Sequence, residues 1–250
     1  MLLKIDNLKK YFYNESFFGK KRETRAIDDI SFLLEQSETL GVVGESGSGK
    51  TTLAKVILKL IEPTSGLIKY SNNINNLRKD VQIIFQNPYL SLNPKLKILD
   101  IVTEGALIHR LIERGDVKKK AVELLSLVGL GKDFLERRPG EVSGGERQRI
   151  CIARALSTFP KFIVLDEPVS SLDLTIQVKI LNLLLNIKKE FGLTYLFISH
   201  DLRVIEIMSS RVLVMHEGKI VEIGKTQDIY NNPKHAYTKK LISCLSFSSN

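Results

Sequence analysis

The stretch GVVGESGSGKTT, Gly41 to Thr52, constrains the chain more than any other. A short apolar run, Thr39 to Gly44, reads as a buried parallel strand that stops on glycine. A helix follows the Gly/Ser loop, with Leu53, Ile57, Leu58 and Ile61 on one face and EPTSG, Glu62 to Gly66, ending it. In a strand–glycine loop–helix unit, backbone N–H groups and the positive helix end converge on phosphate oxygens. Gly44, Glu45, Ser46, Gly47, Ser48, Gly49, Lys50, Thr51 and Thr52 would form that cradle. The Lys50 ammonium would reach the β- and γ-phosphates and the Thr51 hydroxyl would ligate Mg²⁺. The bland alternative is a glycine-rich turn that binds nothing, and it does not require Lys-Thr in this register.

Elsewhere strands alternate with helices. In Ile30 to Leu34 the apolar residues alternate, with one extra; VQIIF, Val81 to Phe85, is a second buried strand. From Asn87 to Thr158 helical spacing dominates, as in ILDIVTEGALIHRLIERG and VKKKAVELLSLVGLG. Strands return in FIVLDE (Phe162 to Glu167), TYLFISH (Thr194 to His200) and RVLVMHEG (Arg211 to Gly218). Between the first two lies a helix with Ile180, Leu184, Ile187 and Phe191 on one stripe. Glu217-Gly218 reads as a hairpin turn. The pattern predicts an α/β fold with a mostly parallel sheet, an antiparallel β part and a helical insertion over 87–158.

A phosphate cradle needs an acidic partner site. FIVLDEP puts Asp166 and Glu167 at the C-terminal end of a strand, where open α/β sheets place ligands. Asp166 would hold Mg²⁺ through water, and Glu167, pointing differently, would polarise an attacking water. His200 would bond the γ-phosphate and orient that water, and the Gln86 amide would reach both Mg²⁺ and water. Each of these last two is weak in isolation, since a lone His or Gln is usually structural. VSGGERQRI, Val142 to Ile150, is a second phosphate-facing turn: Ser143 and the Gly144 and Gly145 amides precede a helix. Arg147-Gln-Arg149 behind it reads as surface, with contact to a partner's acids as the alternative.

These motifs, in this order, resemble the ATP-binding subunit of an ABC transporter over essentially the whole chain. The resemblance implies a P-loop NTPase, RecA-like nucleotide-binding domain spanning 1–250, with the helical subdomain inserted. It makes Ser143, Gly144, Gly145 and Glu146 the signature, Gln86 the Q-loop, Asp173 the D-loop residue and His200 the switch. It also implies that two such domains pair head to tail, so that the signature of one closes over ATP held by the other. Glu146 stands where that family usually has Gln, and its effect on nucleotide affinity is left open. The family stacks an N-terminal aromatic on adenine; Phe12 is favoured, then Tyr11, with Tyr13 also near.

Two stretches narrow the subfamily. NPYLSLNPKLKILDIV after Gln86 and NPKHAYTKKLISCL near the end resemble subunits of oligopeptide, dipeptide and nickel importers. They mark 226–250 as a C-terminal extension typical of such subunits and Asn87 to Pro94 as the segment facing the membrane subunit. Peptide is the preferred cargo, and nickel or a metal chelate is the alternative. The implied assembly is this chain, a second ABC ATPase (a different chain, or a second copy), two permease subunits and an extracytoplasmic binding protein. A non-transport ABC ATPase acting on nucleic acid is the distant rival, and 250 residues leave no space for its coiled coils or second cassette. The +9 net charge is spread along the chain, so no nucleic-acid partner is expected. With no membrane span or leader visible, the chain is expected at the cytoplasmic face of the membrane, peripherally, with Cys151 and Cys244 as reduced thiols.

Overall fold

A computed structural model describes residues 1–15 and 21–247. The last residues of the expected 226–250 extension, and the side chain of Cys244, lie outside the described set. The chain divides into two compact units: Met1–Ile74 with the residues from Tyr195 onward, and Asn75–Thr194.

The first unit opens with β1 (Leu3–Glu15) and β2 (Lys21–Leu34), then β3 (Thr39–Val43), α1 (Lys50–Ile57) and β4 (Ser65–Tyr70). β1 pairs antiparallel with both β2 and β4, giving a three-stranded sheet ordered β2-β1-β4. Alternation sets its buried face: Ile30, Phe32 and Leu34 are buried while Leu33, the extra apolar residue, is exposed. α1 stops at Ile57, short of the EPTSG turn, and Ile61 lies beyond it. Lys59 adopts φ 50°, with Leu60 N–H reaching Lys55 O and Lys59 N–H reaching Val56 O. This is the Schellman closure, with lysine at the position glycine normally fills.

The second unit contains α2 (Leu77–Asp80), β5 (Val81–Ile84), α3 (Pro88–Ser91), α4 (Ile98–Ile108), α5 (Val117–Leu127), α6 (Gly144–Leu156), β6 (Phe162–Asp166) and α7 (Leu174–Phe191). β5 and β6 pair in parallel, and every residue of β6 is buried, as expected of a strand covered on both faces. The helical run read from Ile98 onward ends at Ile108. Arg110 turns left-handed at φ 54°, and a 3₁₀ turn follows at Arg114–Asp116. On α7, Ile180, Leu184 and Ile187 are buried, but Phe191, expected on the same stripe, is 40% exposed in the last turn before Gly192.

The chain then re-enters the first unit through β7 (Thr194–Ile198), α8 (Leu202–Met208), β8 (Arg211–His216), β9 (Lys219–Lys225), α9 (Thr226–Asn231) and α10 (Ala236–Phe247). β3 lies between β7 and β8, parallel to both, and β9 is the antiparallel edge. The expected hairpin turn is present: Glu217 and Gly218 both have positive φ, as a two-residue type I′ loop requires. Among the described residues, no helix is long and apolar enough to cross a membrane.

Candidate functional site

The glycine loop in the first unit runs from the end of β3 to the start of α1. Its backbone is left-handed at Gly47 (82°) and Gly49 (105°). A side chain at Gly49 is excluded by space as well as by φ, since a Cβ there would lie 2.1 Å from the Ala26 carbonyl oxygen. The β8–β9 turn supports the loop, with Gly218 N–H donating to Ser48 O at 3.1 Å. Lys50 is 94% buried by its 6% exposure, yet its ammonium donates to the carbonyls of Gly44 (2.8 Å) and Glu45 (2.9 Å). Burying that charge is tolerable because these oxygens replace its hydration. Glu45, Ser46, Gly47 and Thr51 are exposed, and Ser48 is buried.

Of the N-terminal aromatics, Tyr11 donates its hydroxyl to Asp28 at 2.5 Å, and the Arg25 guanidinium lies 5.3 Å from its ring centre. That hydrogen bond holds the Asp28 carboxyl below its usual range. Phe12 is 39% exposed, with the Lys10 ammonium 5.1 Å from its ring centre, and Tyr13 is more exposed still. His200 follows β7 in the same unit, but the strand ends at Ile198, so His200 is an exposed turn residue, two positions beyond the strand. Asp201 next to it caps α8 through Arg203 N–H.

In the second unit, Asp166 is the buried last residue of β6. Glu167 lies just past the strand with φ 50°, a left-handed conformation that a non-glycine residue adopts at a cost of about 1–2 kcal/mol. Gln86 and Glu167, 81 positions apart in sequence, are brought together: the Gln86 amide donates to a Glu167 carboxylate oxygen at 3.1 Å. Asp173 caps α7 by accepting Ile176 N–H at 3.0 Å.

The second glycine turn in this unit is a capping box. The Ser143 hydroxyl accepts Glu146 N–H at 3.3 Å, and the Glu146 carboxylate accepts Ser143 N–H at 2.7 Å. The bond from the Ser143 backbone, helped by its hydroxyl, holds the Glu146 carboxyl below the ordinary range. The carboxylate at this position thus fastens its own turn. Gly144 and Gly145 begin α6, and a Cβ on Gly145 would meet Ile176 of α7 at 2.7 Å. Arg147 and Arg149 are half-buried, which corrects their expected surface placement. Arg147 donates to Val142 O and faces the Tyr89 ring, and Arg149 donates to Val128 O. Cys151 on α6 is free and buried, and burial pushes its thiol up to about 11.

One contact was not foreseen. Tyr237 of α10 places its hydroxyl 3.0 Å from the Glu45 backbone nitrogen and stacks on His216 at 3.9 Å. The sequence flagged His235 to Thr238 only as a subfamily marker.

The strand–loop–helix unit with its buried lysine, together with parallel strands flanked by helices, defines a P-loop nucleotide-binding protein. The ABC transporter family model matches residues 27–170, and a second model, the oligopeptide/dipeptide transporter C-terminal region, matches 221–247. The chain belongs to the ABC transporter family and is one of its ATPases. It is 48% identical to the oligopeptide transport ATP-binding protein OppF of Streptococcus mutans, over 91% of this chain and 77% of that protein. It is 43% identical to the dipeptide transport ATP-binding protein DppF of Haemophilus influenzae, over 97% and 77%. Among solved structures, it resembles the dimeric post-hydrolysis state of the ATP-binding cassette MJ0796 bound to ADP and Pi. The TM-score is 0.78 at 27% identity, covering 90% of this chain and 99% of that one.

Proposed function

We propose that this chain is the ATP-hydrolysing subunit of an importer of oligopeptides or dipeptides. The observation that carries the nucleotide role is the buried Lys50 ammonium inside the Gly44–Lys50 backbone loop at the start of α1. The loop amides and Lys50 take the triphosphate, and Phe12 stacks on adenine. Phe12 is chosen because Tyr11 already has its hydroxyl on Asp28, whereas Phe12 is exposed. Thr51, Gln86 and Asp166 offer a hydroxyl, an amide and a carboxylate, the hard oxygen donors that suit Mg²⁺, which would neutralise phosphate charge when bound.

Glu167 is the base that polarises the attacking water. The hydrogen bond from the Gln86 amide orients its carboxylate. His200 bonds the γ-phosphate. The capping box presents Ser143, Gly144 and Gly145 to ATP held by a partner domain, and Asp173 belongs to the same pairing surface. The partner is a second ABC ATPase, a sister chain or a copy of this one. Two permease subunits and an extracytoplasmic binding protein complete the importer, which holds this chain at the cytoplasmic face of the membrane.

The match of residues 221–247 and the printed activities of the relatives favour peptide over nickel as cargo. A strain lacking this chain is expected to fail with peptides as the sole nitrogen source and to grow normally under nickel limitation. Normal growth on peptides together with failure under nickel limitation would reverse the cargo assignment.

A further inference from the structure

The peptide unit joining Gly44 to Glu45 is held at both ends. Its carbonyl, Gly44 O, accepts from the Lys50 ammonium at 2.8 Å. Its N–H, on Glu45, donates to the Tyr237 hydroxyl at 3.0 Å, a contact spanning 192 positions of sequence. The two bonds act on one dipole, so each polarises the other. Tyr237 is itself fixed. Its ring stacks on His216 at 3.9 Å and 25°, on the strand whose turn also supports Ser48. The segment before it is anchored on β9, where the Glu222 carboxylate accepts the Lys234 and His235 N–H groups at 2.9 and 3.0 Å. The His235 ring accepts Tyr237 N–H at 3.2 Å and so caps the start of α10. Burial lifts the Tyr237 pKa above the ordinary phenol value, so the oxygen is a neutral hydroxyl at physiological pH.

We infer that Tyr237 is a positioning residue for the nucleotide site: through the Glu45 amide, the C-terminal segment holds the first peptide of the phosphate loop in its binding shape. This rests on the reading of that loop as the ATP cradle. Without the hydroxyl, the Gly44–Glu45 peptide loses one of its two restraints, and binding has to order it.

Tyr237→Phe keeps the ring and its stack and deletes only the acceptor. In the full chain, MgATP titrated by calorimetry should bind roughly two- to tenfold more weakly, the effect of losing one ordinary hydrogen bond. KM should rise by a similar factor with kcat unchanged, because no group in contact with the reacting water is altered. Tyr237→Ala should add a drop in thermal midpoint that Tyr237→Phe lacks. Lys50→Ala serves as the control and should weaken binding by itself. If Lys50→Ala weakens binding while Tyr237→Phe leaves ATP affinity unchanged or tighter, the positioning role is wrong and Tyr237 only packs the tail. If Lys50→Ala has no effect on nucleotide, the cradle reading fails instead.

Discussion

At the scale of single residues, the proposed chemistry rests on two groups, one with a left-handed backbone and one buried. Glu167 has φ 50° and is bonded to Gln86, and Lys50 is buried against its own loop carbonyls. Removing the carboxylate while keeping its shape separates binding from catalysis. Glu167→Gln should lose about 10²–10⁴-fold in turnover and keep ATP affinity within about twofold, as deletion of a general base does. Steady-state hydrolysis and calorimetry on one preparation would check this, and retained turnover would remove Glu167 from the role. Glu146 gives a pH signature. Its carboxyl is held below the ordinary range in the folded state, so its contribution to stability is complete above the unfolded carboxylate pKa. That contribution is lost as pH falls through the lower folded value. Glu146→Gln can still accept Ser143 N–H but does not titrate. Its urea midpoint should therefore decline less steeply than the parent's on acidification, and parallel declines would show that the capping carboxylate contributes nothing.

At the scale of elements, legibility followed local physics. β3, β6 and β7 were readable because strands covered on both faces are nearly continuous apolar runs. The glycine loop was readable because few residue types can occupy it, and the Glu217-Gly218 turn because glycine readily supplies the positive φ of its second position. Helix ends were misread where the stop signal was disguised: Lys59 and Arg110 occupy left-handed positions that glycine usually marks. Phe191 fits the periodicity of α7, but it lies in the final turn and its stripe ends there. The difference is measurable. Leu184→Ala should cost about 2–5 kcal/mol in urea unfolding, as a buried leucine truncation does, whereas Phe191→Ala should cost well under half of that. Similar losses would place Phe191 in the core.

At the scale of the whole molecule, the sequence contained every candidate residue but not the contacts between distant positions. Gln86 with Glu167, and Tyr237 with Glu45, each span far more chain than any periodicity can report. The Arg147–Arg149 segment shows the same limit: charge suggested solvent, yet both arginines satisfy backbone carbonyls inside their unit. Under the proposed pairing with a partner domain, the two glycine turns of one chain serve two different ATP sites. Ser143→Arg would then leave this chain's ATP affinity unchanged while hydrolysis in the assembled pair falls, and loss of its own binding would place the signature in cis. The most direct measurement is the structure of the ATP-loaded Glu167→Gln assembly. A nucleotide clasped between two subunits predicts the γ-phosphate within hydrogen-bond distance of Lys50 on one copy and of a signature serine on the other. A triphosphate enclosed by one copy alone, with Ser143 and Gly145 touching no ligand, would contradict it.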